Sequence, residues 1–96
     1  MSVTFEQIHN HHERAVFESI VRHAQERPHL ASQPELLGDV ACVALNRLPP
    51  RYIRHEVDFA FYLSEKERLE TERAIEQAVS AAFDFVQARV AMRARA

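Results

Sequence analysis

A mainly α domain of about three to four helices, with a long C-terminal helix and one or two short strands around residues 51–63, is what this sequence predicts. Three observations carry the prediction. Alanine, leucine, glutamate and arginine dominate, and there is one glycine and no tryptophan among 96 residues, a composition that favours helix over hairpins. Ser, Thr or Asn followed three residues later by Glu or Gln recurs ahead of apolar runs, as in a capping box. The apolar period changes from helical spacing to alternation only after Pro49-Pro50. The length gives a single domain over residues 1–96, with a core of modest size.

Four capping pairs mark helix starts: Thr4 with Gln7 at a short leader, Asn10 with Glu13, Ser32 with Glu35, and Ser64 with Glu67. From Asn10 a helix runs to about Glu26, with Val16, Phe17, Ile20, Val21 and Ala24 as its apolar stripe. Pro28 ends it, because the residue before a proline disfavours helical torsions. "ERPHLASQP" is a connection. The second helix spans about Gln33 to Arg47 and is apolar on nearly every side, which places it centrally. Asp39 is the lone charge in its middle and is expected to accept hydrogen bonds or face an arginine.

After Pro49-Pro50, Tyr52-Ile53 is a short extended piece. Val57, Phe59, Phe61 and Leu63 then alternate with Asp58, Ala60 and Tyr62, a strand pattern that needs a partner in this chain or another. The last helix runs from about Glu65 to Arg93, about 40 Å. Its first three turns are charged and solvated. Its second half carries two stripes: Ile75, Val79, Ala82, Phe83, Val86 and Val90, and beside them Ala74, Ala78, Ala81, Phe85, Ala88 and Met92. One packed neighbour needs one stripe. The second predicts a homodimer, the alternative being burial on two sides within one chain.

Net charge is −2, so the molecule as a whole is not built to bind DNA. No apolar stretch approaches the roughly 20 residues that cross a bilayer, and "MSVTFEQIHNHHER" lacks the apolar centre of a signal peptide. A cytoplasmic protein without membrane insertion is the expectation. Cys42 is alone, within an apolar run, and is expected to be buried. His9, His11 and His12 are close together, but no cysteine pair or HExxH pattern completes a zinc site, so no metal is expected. No nucleophile–base pair and no glycine-rich phosphate loop is present, so no catalytic residues are assigned and the protein reads as a non-enzyme.

The stretch that invites a ligand is "NRLPPRYIR". Arg47, Arg51 and Arg54 fall within eight residues, beside Asn46 and Tyr52. Proline stiffness lowers the ordering cost of binding. Guanidinium forks grip phosphate in two places, and Tyr52 can stack on a base. Asp39 and Asn46, with Pro49 and Pro50, read as supports of the turn, although a carboxylate such as Asp39 can also pair with a guanine edge. The alternative is a purely structural turn whose arginines pair with Asp39, Glu56 or Asp58.

These residues resemble a known signature. "DVACVALNRLPPRYI", with Asp39, Asn46, Leu48, Pro49, Pro50 and Tyr52, and "NHHERAV", with Asn10, Glu13 and Val16, are similar to the late competence development protein ComFB family. The similarity extends from about residue 9 to residue 90. It implies a small, mainly helical, dimeric bacterial protein without known catalysis. Some members bind zinc through cysteines placed before the aspartate. Here that region reads "ASQPELLGD", so zinc is not carried over. Members of the family are described as receptors for cyclic di-GMP and in some cases cyclic di-AMP, linked to competence, motility or cell size. The resemblance therefore implies a cyclic dinucleotide as ligand, with an unknown downstream protein as partner. An interaction module of the competence or type IV pilus machinery, without a small ligand, is the alternative.

Overall fold

The computed structural model describes residues 5–57 and 63–95. In chain order its elements are β1 (His9–Asn10), α1 (His12–Ala24), α2 (Pro28–Ala31), α3 (Pro34–Arg47), β2 (Tyr52–Ile53) and α4 (Glu65–Arg95). The mainly helical reading with a long C-terminal helix holds.

The helix starts divide according to whether the capping side chain reaches a free N–H. At α1 the Asn10 carboxamide oxygen accepts from His12 N–H (3.2 Å), and Glu13 Oε2 accepts from Asn10 N–H (3.2 Å), so both predicted side chains satisfy a backbone donor, Asn10 that of His12 and Glu13 that of Asn10. At α4, Ser64 Oγ accepts from Glu67 N–H at 3.1 Å. The Ser32–Glu35 pair is not made: Ser32 Oγ donates back to the His29 carbonyl, and α3 begins one residue after Gln33, with Pro34 in its first turn. Thr4 lies outside the described residues. Its partner Gln7 sits in a turn closed by Ile8 N–H donating to the Phe5 carbonyl at 3.1 Å, not in a helix.

The connection after α1 contains a one-turn helix that the sequence did not announce. Pro28 sits where a missing N–H costs nothing, and the turn carries Leu30 into the core at 0% exposure. The core is the wedge among α1, α3 and α4. Val16 and Ile20, Val40 and Ala44, and Val79 and Phe83 meet there. Each fully buried aliphatic or aromatic side chain contributes about 1.5–3 kcal/mol relative to exposure.

The α4 stripes separate. Ile75, Val79, Ala82, Phe83 and Val86 are buried and Val90 half-buried, as a core face should be. On the second stripe Ala78 is buried and Ala74 and Ala81 half-buried, but Phe85, Ala88 and Met92 are exposed. The first turns of α4 extend past the wedge. The radius of gyration is 15.7 Å, against about 12 Å for a compact globule of this length.

Two expectations are corrected. Cys42 is exposed, because the face of α3 opposite Val40 and Ala44 looks outward. Asp39 shares that outward side and is exposed. The strand expected over residues 57–63 does not begin where predicted. Glu56 and Val57 are helical and Leu63 is irregular, while 58–62 lie outside the described residues. β2 pairs antiparallel with β1, His9 opposite Ile53 and Asn10 opposite Tyr52, and His11 then turns into α1. No helix among the described residues is long and apolar enough to cross a membrane.

Candidate functional site

The proline corner is built from its backbone upward. Leu48, before Pro49, takes extended torsions (φ −102°, ψ 138°), as a residue preceding proline must, and its side chain is 8% exposed against the core. Pro49 and Pro50 contribute no N–H. The chain then needs a partner for Arg51 N–H, and the Asn10 carboxamide oxygen supplies it at 3.1 Å. Arg51 also accepts at its carbonyl from His11 N–H at 2.7 Å. Asn10 is 8% exposed, and its one oxygen serves both the start of α1 and the corner. The support expected of Asn46 and Asp39 therefore comes from Asn10. Asn46 is exposed at the end of α3, and Asp39 sits two turns upstream.

His12 lies behind the corner at 7% exposure, its Nδ1 without a hydrogen-bond partner among the described residues. Burial pushes its pKa down, with help from His11 and Arg51, against the Pro49 carbonyl, which pulls it up. His9 and His11 hold the outside of the same corner. His9 Nε2 lies 3.1 Å from Glu56 Oε1 and His11 Nδ1 2.8 Å from Glu56 Oε2. The His9 pKa is raised, first by the Gln7 carbonyl and then by Glu56, and the Glu56 carboxyl is lowered, chiefly by His9. The three histidines are therefore divided between core and clasp. Among the described residues no group of three or more His, Cys, Asp or Glu side chains is placed to hold a metal ion.

The predicted ligand residues come out as follows. Arg47 is exposed at the last turn of α3, with no ion pair among the described residues. Tyr52 is 70% exposed. Arg54 is exposed, and its Nη1 donates to His55 Nε2 at 2.8 Å. Arg51 is exposed and tied to the scaffold through its backbone. Five of the cavities among the described residues are lined by side chains other than Arg47, Arg51, Tyr52 and Arg54.

A groove of about 290 Å³ lies instead between α3 and α4. Asp39 and Cys42 edge it from α3, and Arg89 and Arg93 from α4, over a floor of Leu36, Val43, Val86 and Val90. The Arg89 guanidinium stands over the Phe85 ring, 5.8 Å from its centroid. Sequence reasoning placed Asp39 correctly as the charge of α3 but missed the two arginines. Their spacing of four residues on one helix face was the available signal.

A second polar hub, also missed, joins α1 to α4. Glu76 receives Ser19 Oγ at 3.0 Å, Arg22 Nη2, and His23 Nε2 at 2.8 Å. Its carboxyl is lowered, first by His23 and then by Ser19 and Arg22, against the opposing effect of burial.

Two stretches far apart in sequence thus meet at one place: Asn10 to Glu13, where α1 begins, and Leu48 to Tyr52, where the chain leaves α3. The sequence profile described as "Late competence development protein ComFB" matches residues 9–90, which begins at β1 and ends within the packed part of α4. No curated protein and no solved structure matches the chain. With both stretches inside a match that covers most of its length, the chain belongs to the ComFB family, and its function is competence-related.

Proposed function

We propose that this protein is a non-catalytic, cofactor-free regulatory homodimer of the cytoplasm that binds a cyclic dinucleotide, cyclic di-GMP or cyclic di-AMP, at its proline corner and passes the signal to a second protein in competence or motility. The observation that supports the reading most directly is Arg47. It stands at the end of α3 without an acid partner among the described residues, next to a corner pinned by Asn10 and beside an exposed Tyr52. A guanidinium without an acid partner beside rigid backbone suits a ligand that carries phosphate. The exposed Phe85, Ala88 and Met92 support the dimer. A two-fold axis would present mirrored arginines to a ligand that is itself nearly two-fold symmetric.

One observation favours the other reading, an interaction module without a small ligand. The corner arginines are exposed, and five cavities elsewhere on the described surface are lined by other residues. Isothermal titration with each dinucleotide separates the two. Saturable heat with one of them, weakened at least about tenfold (about 1.4 kcal/mol) in Arg47→Ala/Arg54→Ala, supports the receptor. The pair is chosen because neither side chain forms an ion pair with the scaffold among the described residues. Absence of heat with both ligands leaves the interaction module.

A further inference from the structure

His9 and His11 reach past the backbone pairing of β1 with β2 to a residue beyond it. Glu56 follows Ile53, the residue opposite His9, by three positions and opens a helical turn. Its carboxylate is shared: Oε1 lies 3.1 Å from His9 Nε2, and Oε2 lies 2.8 Å from His11 Nδ1. The other nitrogen of His9, Nδ1, lies 2.8 Å from the Gln7 carbonyl oxygen. Both nitrogens of one ring therefore face oxygen atoms that can only accept. A neutral imidazole carries one N–H and serves one of them, whereas the imidazolium carries two and serves both. The arrangement is that of a charged His9. It ties the turn before β1, through Gln7, to the chain leaving β2, through Glu56.

The bridge can be switched because its cations are ones that lose their charge near neutral pH. Arg14 of α1 and Arg68 of α4 stand in the grooves on either side of Glu56, but Arg14 pairs with Glu18, and Arg68 with Glu65 and Glu72. From the exit of β2, Arg54 is turned to His55. Among the described residues the ion-pair partners of Glu56 are the two histidines. Glu13 of α1 faces the same place and adds attraction for a charged His9. Carboxylates and guanidinium groups keep their charge between about pH 6 and 8, and imidazole does not. Glu56 is also a wall common to two grooves. One, of about 410 Å³, is lined by His9 and Phe17, and the other, of about 640 Å³, by His11, Val57 and Leu63.

We infer that the His9–Glu56–His11 bridge is a proton-operated latch. Closed while the imidazoles are charged, it holds the chain leaving β2 against the turn before β1 and keeps the two grooves apart. Open when they are neutral, it frees Glu56 and lets the grooves join. The His9 pKa is raised above 6.5, first by the Gln7 carbonyl and then by Glu56. The latch is therefore fully closed below 6.5 and opens as pH rises through the raised value. The His12 change lies on the other side of 6.5, so the two events are separable. The latch acts on the exit of the proline corner whatever that corner binds.

The test is amide hydrogen exchange of the full chain at pH 6 and pH 8, normalised to the intrinsic rates, with the His9 ring followed by NMR and helicity checked by circular dichroism. Wild type should lose about two- to fivefold of its protection over residues 52–57 on going from pH 6 to pH 8, the size of effect that half-exposed ion pairs allow. Glu56→Gln, which removes the shared carboxylate charge, should show the low protection at both pH values. His9→Lys, whose charge is fixed over this range, should keep most of the protection at pH 8. Equal protection of the wild type at the two pH values, or the wild-type change persisting in Glu56→Gln, overturns the latch.

Discussion

Two polar joints tie α1 to distant parts of the chain, and they are made differently. At the proline corner a neutral amide, Asn10, 8% exposed, accepts from two backbone N–H groups, those of His12 and Arg51. At the other joint a carboxylate, Glu76, with its side chain 45% exposed, takes donors from Ser19, Arg22 and His23. The first joint satisfies two backbone donors with one buried amide oxygen. The second joins side chains that water could serve almost as well. The lesson is that the number of polar contacts is a poor guide to their worth. The joint with fewer partners is the more costly to lose, because removing it strands backbone donors away from solvent.

Asn10→Ala tests this most strongly. It should destabilise the protein by about 2–3 kcal/mol, read from the denaturation midpoint, and expose the Arg51 amide to faster hydrogen exchange. A cost no larger than that of a surface substitution would break the contrast.

Glu76→Gln should cost about 1 kcal/mol or less at low salt, with the loss shrinking as salt is added, since half-exposed ion pairs are screened. The Asn10→Ala loss should not change with salt. A salt-independent loss at Glu76 would mean that its contact with the fully buried Ser19 outweighs the ion pair with Arg22.

The smallest effect is in pH. His12 is buried and its pKa lies below the ordinary 6.5, so the unfolded chain binds its proton more readily. Its stabilising contribution is complete above about 6.5 and declines as pH falls towards the lowered folded value. Glu76 acts lower on the scale. Its folded pKa is depressed from 4.5, so its contribution is present above 4.5 and fades as pH falls through the depressed value. His9 works the other way: its raised pKa makes the Glu56 contact strongest below 6.5, lost as pH rises through the raised value. Mild acid should therefore remove the His12 contribution before it touches the Glu76 joint, while the His9–Glu56 contact strengthens. In His12→Gln the decline of stability between pH 6.5 and 5 should disappear from a series of urea midpoints, and a decline that persists would assign it to another group.

Much of this was legible beforehand for identifiable reasons. The caps of α1 and α4 could be read because Asn10–Glu13 and Ser64–Glu67 act within one turn. Ser32–Glu35 has the same spacing but fails, because Ser32 closes the one-turn helix α2 and Gln33, not Ser32, stands at the N-cap of α3. Cys42 was placed inside because its neighbours are apolar. α3 has more apolar positions than the wedge can cover, and Cys42 falls on the remainder. Arg47 and Tyr52 could be named as candidates from the proline pair alone, but no local pattern connects Asp39 with Arg89 and Arg93, fifty residues away in the chain.

The sequence by itself determined the helices, their ends near prolines and caps, the stiffness of the corner and membership of the ComFB family, because torsional preference, capping and periodicity act over a few residues. Only the tertiary structure decided that Asn10 holds the corner, that β1 and not a longer strand pairs with β2, and that Asp39 faces two arginines over a valine floor. Those depend on which helix faces meet, and that is set by the shared burial of Val16, Val40, Val79 and Phe83 from three separate helices.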